Sequence, residues 1–226
     1  ILSGWYTTNN QNVTWGAGGL IIIASNLTTG TIDDSAPNTS SLASSTANGT
    51  GGLYWVVSGY PAGNGGNGSS CGAGGGGVVG GGGEALGGSA TVVTYLTFEA
   101  LAKQLLRSIA DWILVNTIKR PPTIVNNIPY LGGSSGGTVP SSNSSTGGGS
   151  GGEVIIIAPT ITAGTITAAG GNGYSANCSS GGGGGGLIYV GYQNLSGTFS
   201  FNVSGGAGGN GGGSGTSGSA ATFAIW

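Results

Sequence analysis

The chain has 226 residues, of which 54 are Gly, 28 Ser, 23 Thr and 17 Asn; charged residues make up 4%, and His and Met are absent. Four basic and six acidic residues, for a formal net charge of −2, give little material for a metal site or for acid–base catalysis, and too little positive charge to neutralise a phosphate backbone. No run of about 20 apolar residues occurs, so no helix is expected to span a membrane.

In chain order, the sequence opens at Ile1 rather than Met with no charged n-region or apolar h-region, which reads as a protein that has lost a leader peptide. A repeat follows. Gly18-Gly19-Leu20-Ile21-Ile22-Ile23 resembles Gly51-Gly52-Leu53-Tyr54-Trp55-Val56, Gly151-Gly152-Glu153-Val154-Ile155-Ile156 and Gly185-Gly186-Leu187-Ile188-Tyr189-Val190. Downstream of these, Asn26–Ile32, Thr160–Ile166 and Asn194–Phe199 match one another, and Gly-rich runs with Asn-Gly follow at 62–68, 169–173 and 205–213. Each unit predicts an apolar strand, a turn, an alternating strand and a Gly/Asn tract. Ile21–Ile23 and Ile155–Ile157 lack polar alternation and suit strands covered on both faces. Units that cannot bury their own apolar face must stack on one another.

The middle of the sequence differs. Thr97 to Arg120 holds all four basic residues, Lys103, Arg107, Lys119 and Arg120. Glu99, Lys103, Arg107 and Asp111 recur at i,i+4, and Leu101, Leu105, Ile109, Trp112 and Ile113 form the opposite stripe, so this segment predicts an amphipathic helix stopped by Pro121-Pro122. The expected organisation is an N-terminal Gly-rich β half (1–96), the central helix and connector (97–131), a Ser/Gly-rich linker (132–152) and a C-terminal Gly-rich β half (153–226). The expected fold is mainly β, with stacked strands in a solenoid-like or sandwich-like arrangement, polyglycine segments and one central amphipathic α-helix.

Glycine loses more backbone entropy on folding than any other residue, so Gly181–Gly186 needs partners to become ordered. Tight turns with positive φ provide one solution. Packed extended helices of polyproline-II type, whose bare backbones approach and bond sideways, provide another. Gly-x-Gly-x-x-Gly matches occur freely in such a sequence, and no Lys-Ser/Thr signature follows them, so they do not signal nucleotide binding.

Asn12, Asn26, Asn38, Asn48, Asn67, Asn143, Asn177, Asn194 and Asn202 each stand two residues before Ser or Thr with no Pro between, which marks them as candidate N-glycosylation sites. Nine is roughly twice the number that the Ser and Thr content gives by chance. Cys71 and Cys178, the two thiols, are expected to pair in an oxidising compartment. Asp33-Asp34 reads as an exposed turn, and Glu84 and Glu153 stand alone in Gly-rich surroundings. Trp5, Tyr6, Trp15, Tyr54 and Trp55 suit either a sugar-binding platform or, more commonly, packing. No Ser lies in a recognisable nucleophile motif, so no enzyme activity and no cofactor are expected.

The Gly-rich, Ser/Thr/Asn-rich, sequon-dense repeats quoted above resemble the subunits of extracellular filaments on archaeal cells, and are also similar to phage and viral adhesins built on polyglycine helices. The filament resemblance implies subunits joined by donor-strand complementation. The expectation is therefore a structural subunit of a secreted, glycosylated filament or sheath, with N-linked glycans and copies of itself as partners and no nucleic acid. Leu2–Thr7 or Ala221–Trp226 would supply the exchanged strand. The alternative is an adhesin or virion surface fibre that binds cell-surface glycans.

Overall fold

A computed structural model describes residues 2–3, 16–39, 46–118, 131–139, 145–175 and 177–225, with backbone alone at residues 2, 3, 108, 109 and 111–118. The elements in order are β1 (Leu2–Ser3), β2 (Gly19–Ile23), β3 (Asn26–Thr28), β4 (Thr31–Asp33), β5 (Leu53–Val57), β6 (Thr91–Tyr95), α1 (Phe98–Ile118), β7 (Thr138–Val139), β8 (Ser145–Thr146), β9 (Glu153–Thr162), β10 (Thr165–Thr167), β11 (Tyr174–Ser175), β12 (Leu187–Ser196), β13 (Ser200–Asn202) and β14 (Ser219–Ala224). The protein is mainly β, and the described residues form several sheets without a closed barrel.

The repeat explains the largest sheet. Its order is β1-β2-β9-β12-β14, with β3 also on β9. Equivalent residues of successive units stand side by side and parallel: Ile21 faces Ile155, Ile155 faces Tyr189, and Tyr189 faces Ala221. A three-stranded sheet repeats this register with Ile32, Ile166 and Phe201 in one row. The unit at Leu53 departs from the pattern. β5 pairs parallel with β6 in a sheet of its own, although its sequence matches that of β2. Its Tyr54 and Trp55 are bulky, and they fill the core that faces the large sheet.

Alternation along β9 and β12 divides the core in two. Ile155, Ile157, Leu187 and Tyr189 pack on one side against Tyr54, Trp55, Val57, Phe98, Leu101 and Leu105. Val154, Ile156, Ala158, Ile188 and Val190 pack on the other side with Ile161, Ile166 and Ala168. Most of these side chains are fully buried, and each large aliphatic one contributes roughly 1.5–3 kcal/mol. β9 thus meets the expectation of a strand covered on both faces, whereas Ile23, at the end of β2, is 40% exposed.

α1 lays Phe98, Leu101, Ala102 and Leu105 on the first of these cores. Gly191 leaves room for the Phe98 ring, since a Cβ there would lie 2.4 Å from its Cε1. Phe98 in turn stacks on Phe223 at 4.5 Å between centroids. Glu99 and Lys103 form the expected i,i+4 ion pair at 2.5 Å, but both are exposed, so it adds little to stability. The expected helix end, with Lys119, Arg120 and the two prolines, lies outside the described residues.

The 132–152 stretch, which reads as a linker, is buried where it is described, apart from the half-buried Gly132 and Gly133. Ser134, Ser135, Thr138, Ser145, Thr146 and Ser150 are all within the protein. Their hydroxyls bond the backbone of neighbouring segments: the Gly52 N–H donates to Ser134 Oγ at 3.1 Å, and Ser134 Oγ donates to the Gly77 carbonyl at 3.0 Å. Small side chains that bear a donor and an acceptor let this segment pass between Gly tracts without leaving polar groups unpaired.

Candidate functional site

The Gly tracts form the centre of the site. Along Gly181–Gly186 every N–H and every carbonyl is bonded to another segment. Gly181 and Gly184 donate to Ala73 and Gly76, both at 2.8 Å. Gly182 and Gly185 donate to Gly213 and Thr216, both at 2.9 Å. Gly183 and Gly186 donate to Gly171 at 2.9 Å and Ala168 at 2.8 Å. The carbonyls of Gly181 and Gly184 accept from Gly148 and Gly151, and those of Gly182 and Gly185 accept from Gly66 and Gly63. Partners therefore recur every three residues, whereas those of a strand recur every two. The segments approach too closely for any substituent on Cα: a Cβ on Gly181 would lie 1.8 Å from the Gly66 oxygen.

Asparagine closes the rims of these tracts by a repeated device. Asn67 Oδ1 accepts from the Gly82 N–H at 2.7 Å while the next residue, Gly68, donates its N–H to the Gly82 carbonyl at 2.9 Å. One residue on the neighbouring segment is thus gripped at both polar groups. The same two-point bracket joins Asn48-Gly49 to Leu86, Asn64-Gly65 to Val79, Asn172-Gly173 to Ala207, and Asn38-Thr39 to Asn172. The carboxamide supplies the acceptor that a further backbone would otherwise have provided. Read as sequence, the Asn-Gly pairs stand out only as parts of Gly/Asn tracts. Their role as brackets is set by partners 15 to 38 residues away.

Cys71 and Cys178 form a disulfide with 5.7 Å between Cα atoms, as expected from the sequence, and it joins two Gly tracts 107 residues apart. The seven described sequon residues, Asn26, Asn38, Asn48, Asn67, Asn177, Asn194 and Asn202, are all exposed, and Asn12 and Asn143 lie outside the described residues. Asn26 and Asn194 flank Thr160 in register on one face of the large sheet. Of the aromatic residues considered for a sugar platform, Tyr54 and Trp55 are buried, and Trp5, Tyr6 and Trp15 lie outside the described residues.

The acidic residues depart most from their sequence reading. Asp33 is exposed, but it ends β4 beside Thr167 rather than lying in a turn, and it accepts from the Ser35 N–H at 3.1 Å. Asp34 instead points inward, and its carboxylate lies over Gly152, where a Cβ would be 2.1 Å from Oδ2. Glu153, the residue after Gly152, is fully buried. Its Oε2 accepts from the Trp55 N–H at 2.9 Å, while Glu153 Oε1 and Asp34 Oδ2 are buried without a hydrogen-bond partner. Burial, and secondarily Asp33, push the Asp34 carboxyl up to about 8. Burial also raises Glu153 well above the usual carboxylate range, with a smaller contribution from Asp34 and an opposing one from the Trp55 N–H. Tyr54, buried beside them, donates to Ser150 Oγ at 3.1 Å and to the Gly151 carbonyl. Burial thus favours the uncharged form of both carboxyls at the junction of three repeat units. Register places residue 34 one position past β4 and residue 153 at the start of β9, a proximity that no local sequence pattern carries.

No group of three or more His, Cys, Asp or Glu that could hold a metal ion occurs among the described residues. No protein family matches the sequence, and no curated protein or solved structure matches it.

Proposed function

We propose that the protein is a structural subunit of a secreted, glycosylated extracellular filament or sheath. Its Gly tracts are read as a bundle of polyproline-II-type helices that stiffens the subunit, and its large sheet as the surface through which copies join. The observation that carries this reading is the sheet itself: parallel repeat units in register, with edge strands on both sides, offer a pairing pattern that a second copy can continue. A contact of that kind between two different edges does not close on itself and generates a fibre. The disulfide is consistent with an oxidising compartment. Exposed sequons would carry the glycans that keep a protein with 4% charged residues soluble and shield its edges.

The edge of β14 supplies the test. Ser219 and Ile225 donate to Gly186 and Tyr192 of the β12 side, so by alternation Ala220, Thr222 and Ala224 turn their N–H groups to the outer edge. Thr222→Pro removes an outward donor and no internal one. Electron microscopy of wild type should show fibres, and Thr222→Pro should remain a folded monomer with an unchanged melting temperature. A wild type that stays monomeric at all concentrations overturns the filament reading. Fibres formed equally by both proteins overturn the role of this edge.

A further inference from the structure

The brackets have a chemical consequence for the five Asn-Gly pairs of the sequence, Asn48-Gly49, Asn64-Gly65, Asn67-Gly68, Asn172-Gly173 and Asn210-Gly211. Asn-Gly is the dipeptide most open to spontaneous deamidation, because glycine has no side chain to hinder its amide nitrogen. That nitrogen loses its proton to water or base and attacks the Asn Cγ. A new bond forms between the glycine nitrogen and Cγ, the bond from Cγ to Nδ2 breaks, and ammonia leaves. Water then opens the resulting succinimide at either carbonyl to give aspartate or isoaspartate. No oxidant or reductant is involved.

In four of the five pairs the geometry opposes the attack. The glycine N–H of Gly49, Gly65, Gly68 and Gly173 donates to a neighbouring carbonyl at 2.8–2.9 Å. The Asn carboxamide is held in place by a backbone N–H on its Oδ1. Nucleophile and electrophile are thus both fixed on one partner residue, and reaction requires the bracket to open first.

Asn210-Gly211 is built differently. It forms the two central residues of a tight turn closed by the Gly212 N–H on the Gly209 carbonyl at 3.1 Å. Both central φ angles are positive, 48° at Asn210 and 77° at Gly211, as in the turn that favours Asn-Gly. Asn210 is the one non-glycine residue with positive φ among the described residues. Both residues are exposed, and an added Cβ on Gly211 would meet nothing within 4 Å. The Gly211 N–H donates to no group among the described residues. Among the described residues, the Asn210 carboxamide is anchored only through Nδ2, the leaving nitrogen, which donates to the Asn177 carbonyl at 2.9 Å.

We infer that Asn210 is the site at which the folded protein deamidates, and that the bracketed Asn-Gly pairs are protected by the fold. The product replaces the Nδ2 donor with an acidic oxygen facing the Asn177 carbonyl. In the isoaspartyl form it also adds a backbone carbon to the turn next to the Ser180–Gly209 pairing. The change is slow, one-way and charge-adding, so it marks the age of the protein.

The test is incubation of the folded protein in neutral buffer at physiological temperature, with isoaspartate detected by protein isoaspartyl methyltransferase labelling and each Asn-Gly peptide followed by mass spectrometry. Asn210 should deamidate at least about ten times faster than each of the other four, the factor given by a bracket-opening free energy of about 1.4 kcal/mol. Wild type unfolded in urea should lose the selectivity, and folded Asn210→Gln should lose the fast phase. Comparable rates at all five sites in the folded protein, or an inert Asn210 in a protein whose unfolded form reacts, overturns the inference.

Discussion

Raising the pH should loosen this protein across a range in which ordinary carboxylates have already finished titrating. Asp34 has an ordinary value of 3.8 and sits at about 8 when folded, mainly because it is buried. Between those values the folded protein holds a proton that the unfolded state releases. The unfolded state therefore binds fewer protons, and stability falls as pH rises. The contribution is complete below the ordinary value and is lost through about pH 8. Each unit of pH in that window costs about 1.4 kcal/mol, so a change from about pH 5 to about pH 8 removes on the order of 4 kcal/mol. Glu153 is raised in the same direction by the same cause and deepens the loss. A domain stable by about 5–15 kcal/mol registers such a change plainly. Urea denaturation across this range, with the disulfide intact, is the assay. Wild type should lose stability steadily with pH, and Asp34→Asn, which keeps the shape and removes the proton equilibrium, should flatten the profile by about one proton's slope. Wild-type stability that is flat or rising from about pH 5 to pH 8, or an Asp34→Asn profile parallel to that of wild type, would refute the raised, buried Asp34 carboxyl.

Two further perturbations separate packing from sequence. Gly181→Ala drives a Cβ to 1.8 Å from the Gly66 oxygen and should cost more than about 3 kcal/mol in urea denaturation, whereas Gly30→Ala, with nothing within 4 Å, should change stability by less than about 1 kcal/mol; equal effects would contradict the close backbone packing. Reduction of the Cys71–Cys178 bond, which spans 107 residues, should lower stability by about 4–5 kcal/mol in the chain-entropy model, and a melting temperature unmoved by reductant would show that the fold does not depend on that link.

Local signals in the sequence foreshadowed the elements whose partners follow a local rule. The 34-residue step from Glu153 to Leu187 appears as side-by-side residues in β9 and β12, and the i,i+4 charges of Glu99 and Lys103 appear as an ion pair on α1. The pattern could not reveal pairings between residues far apart in sequence. The likeness of Leu53–Val56 to Leu20–Ile23 suggests adjacent strands, yet Tyr54 and Trp55 need a deep core and draw β5 onto β6 instead. Ser134 and Ser150 look like linker residues until the carbonyls and N–H groups around them are known. Asp34 reads as half of an exposed turn, but Asp33 ends β4, and only the pairing of β4 with β10 brings Asp34, one position further on, within electrostatic reach of Glu153. Tyr54 and Trp55 showed the more common role of aromatic residues, packing rather than display.

Hydrogen exchange at the amides of Gly181–Gly186 tests the central claim most directly, because these N–H groups have no side chains to protect them and depend wholly on other backbones. If the tracts are rigid through mutual pairing, these amides should exchange as slowly as those of Ile155 and Tyr189 in the core strands, through global unfolding alone. Exchange at the rate of an unstructured glycine peptide, while β9 and β12 remain protected, would contradict it.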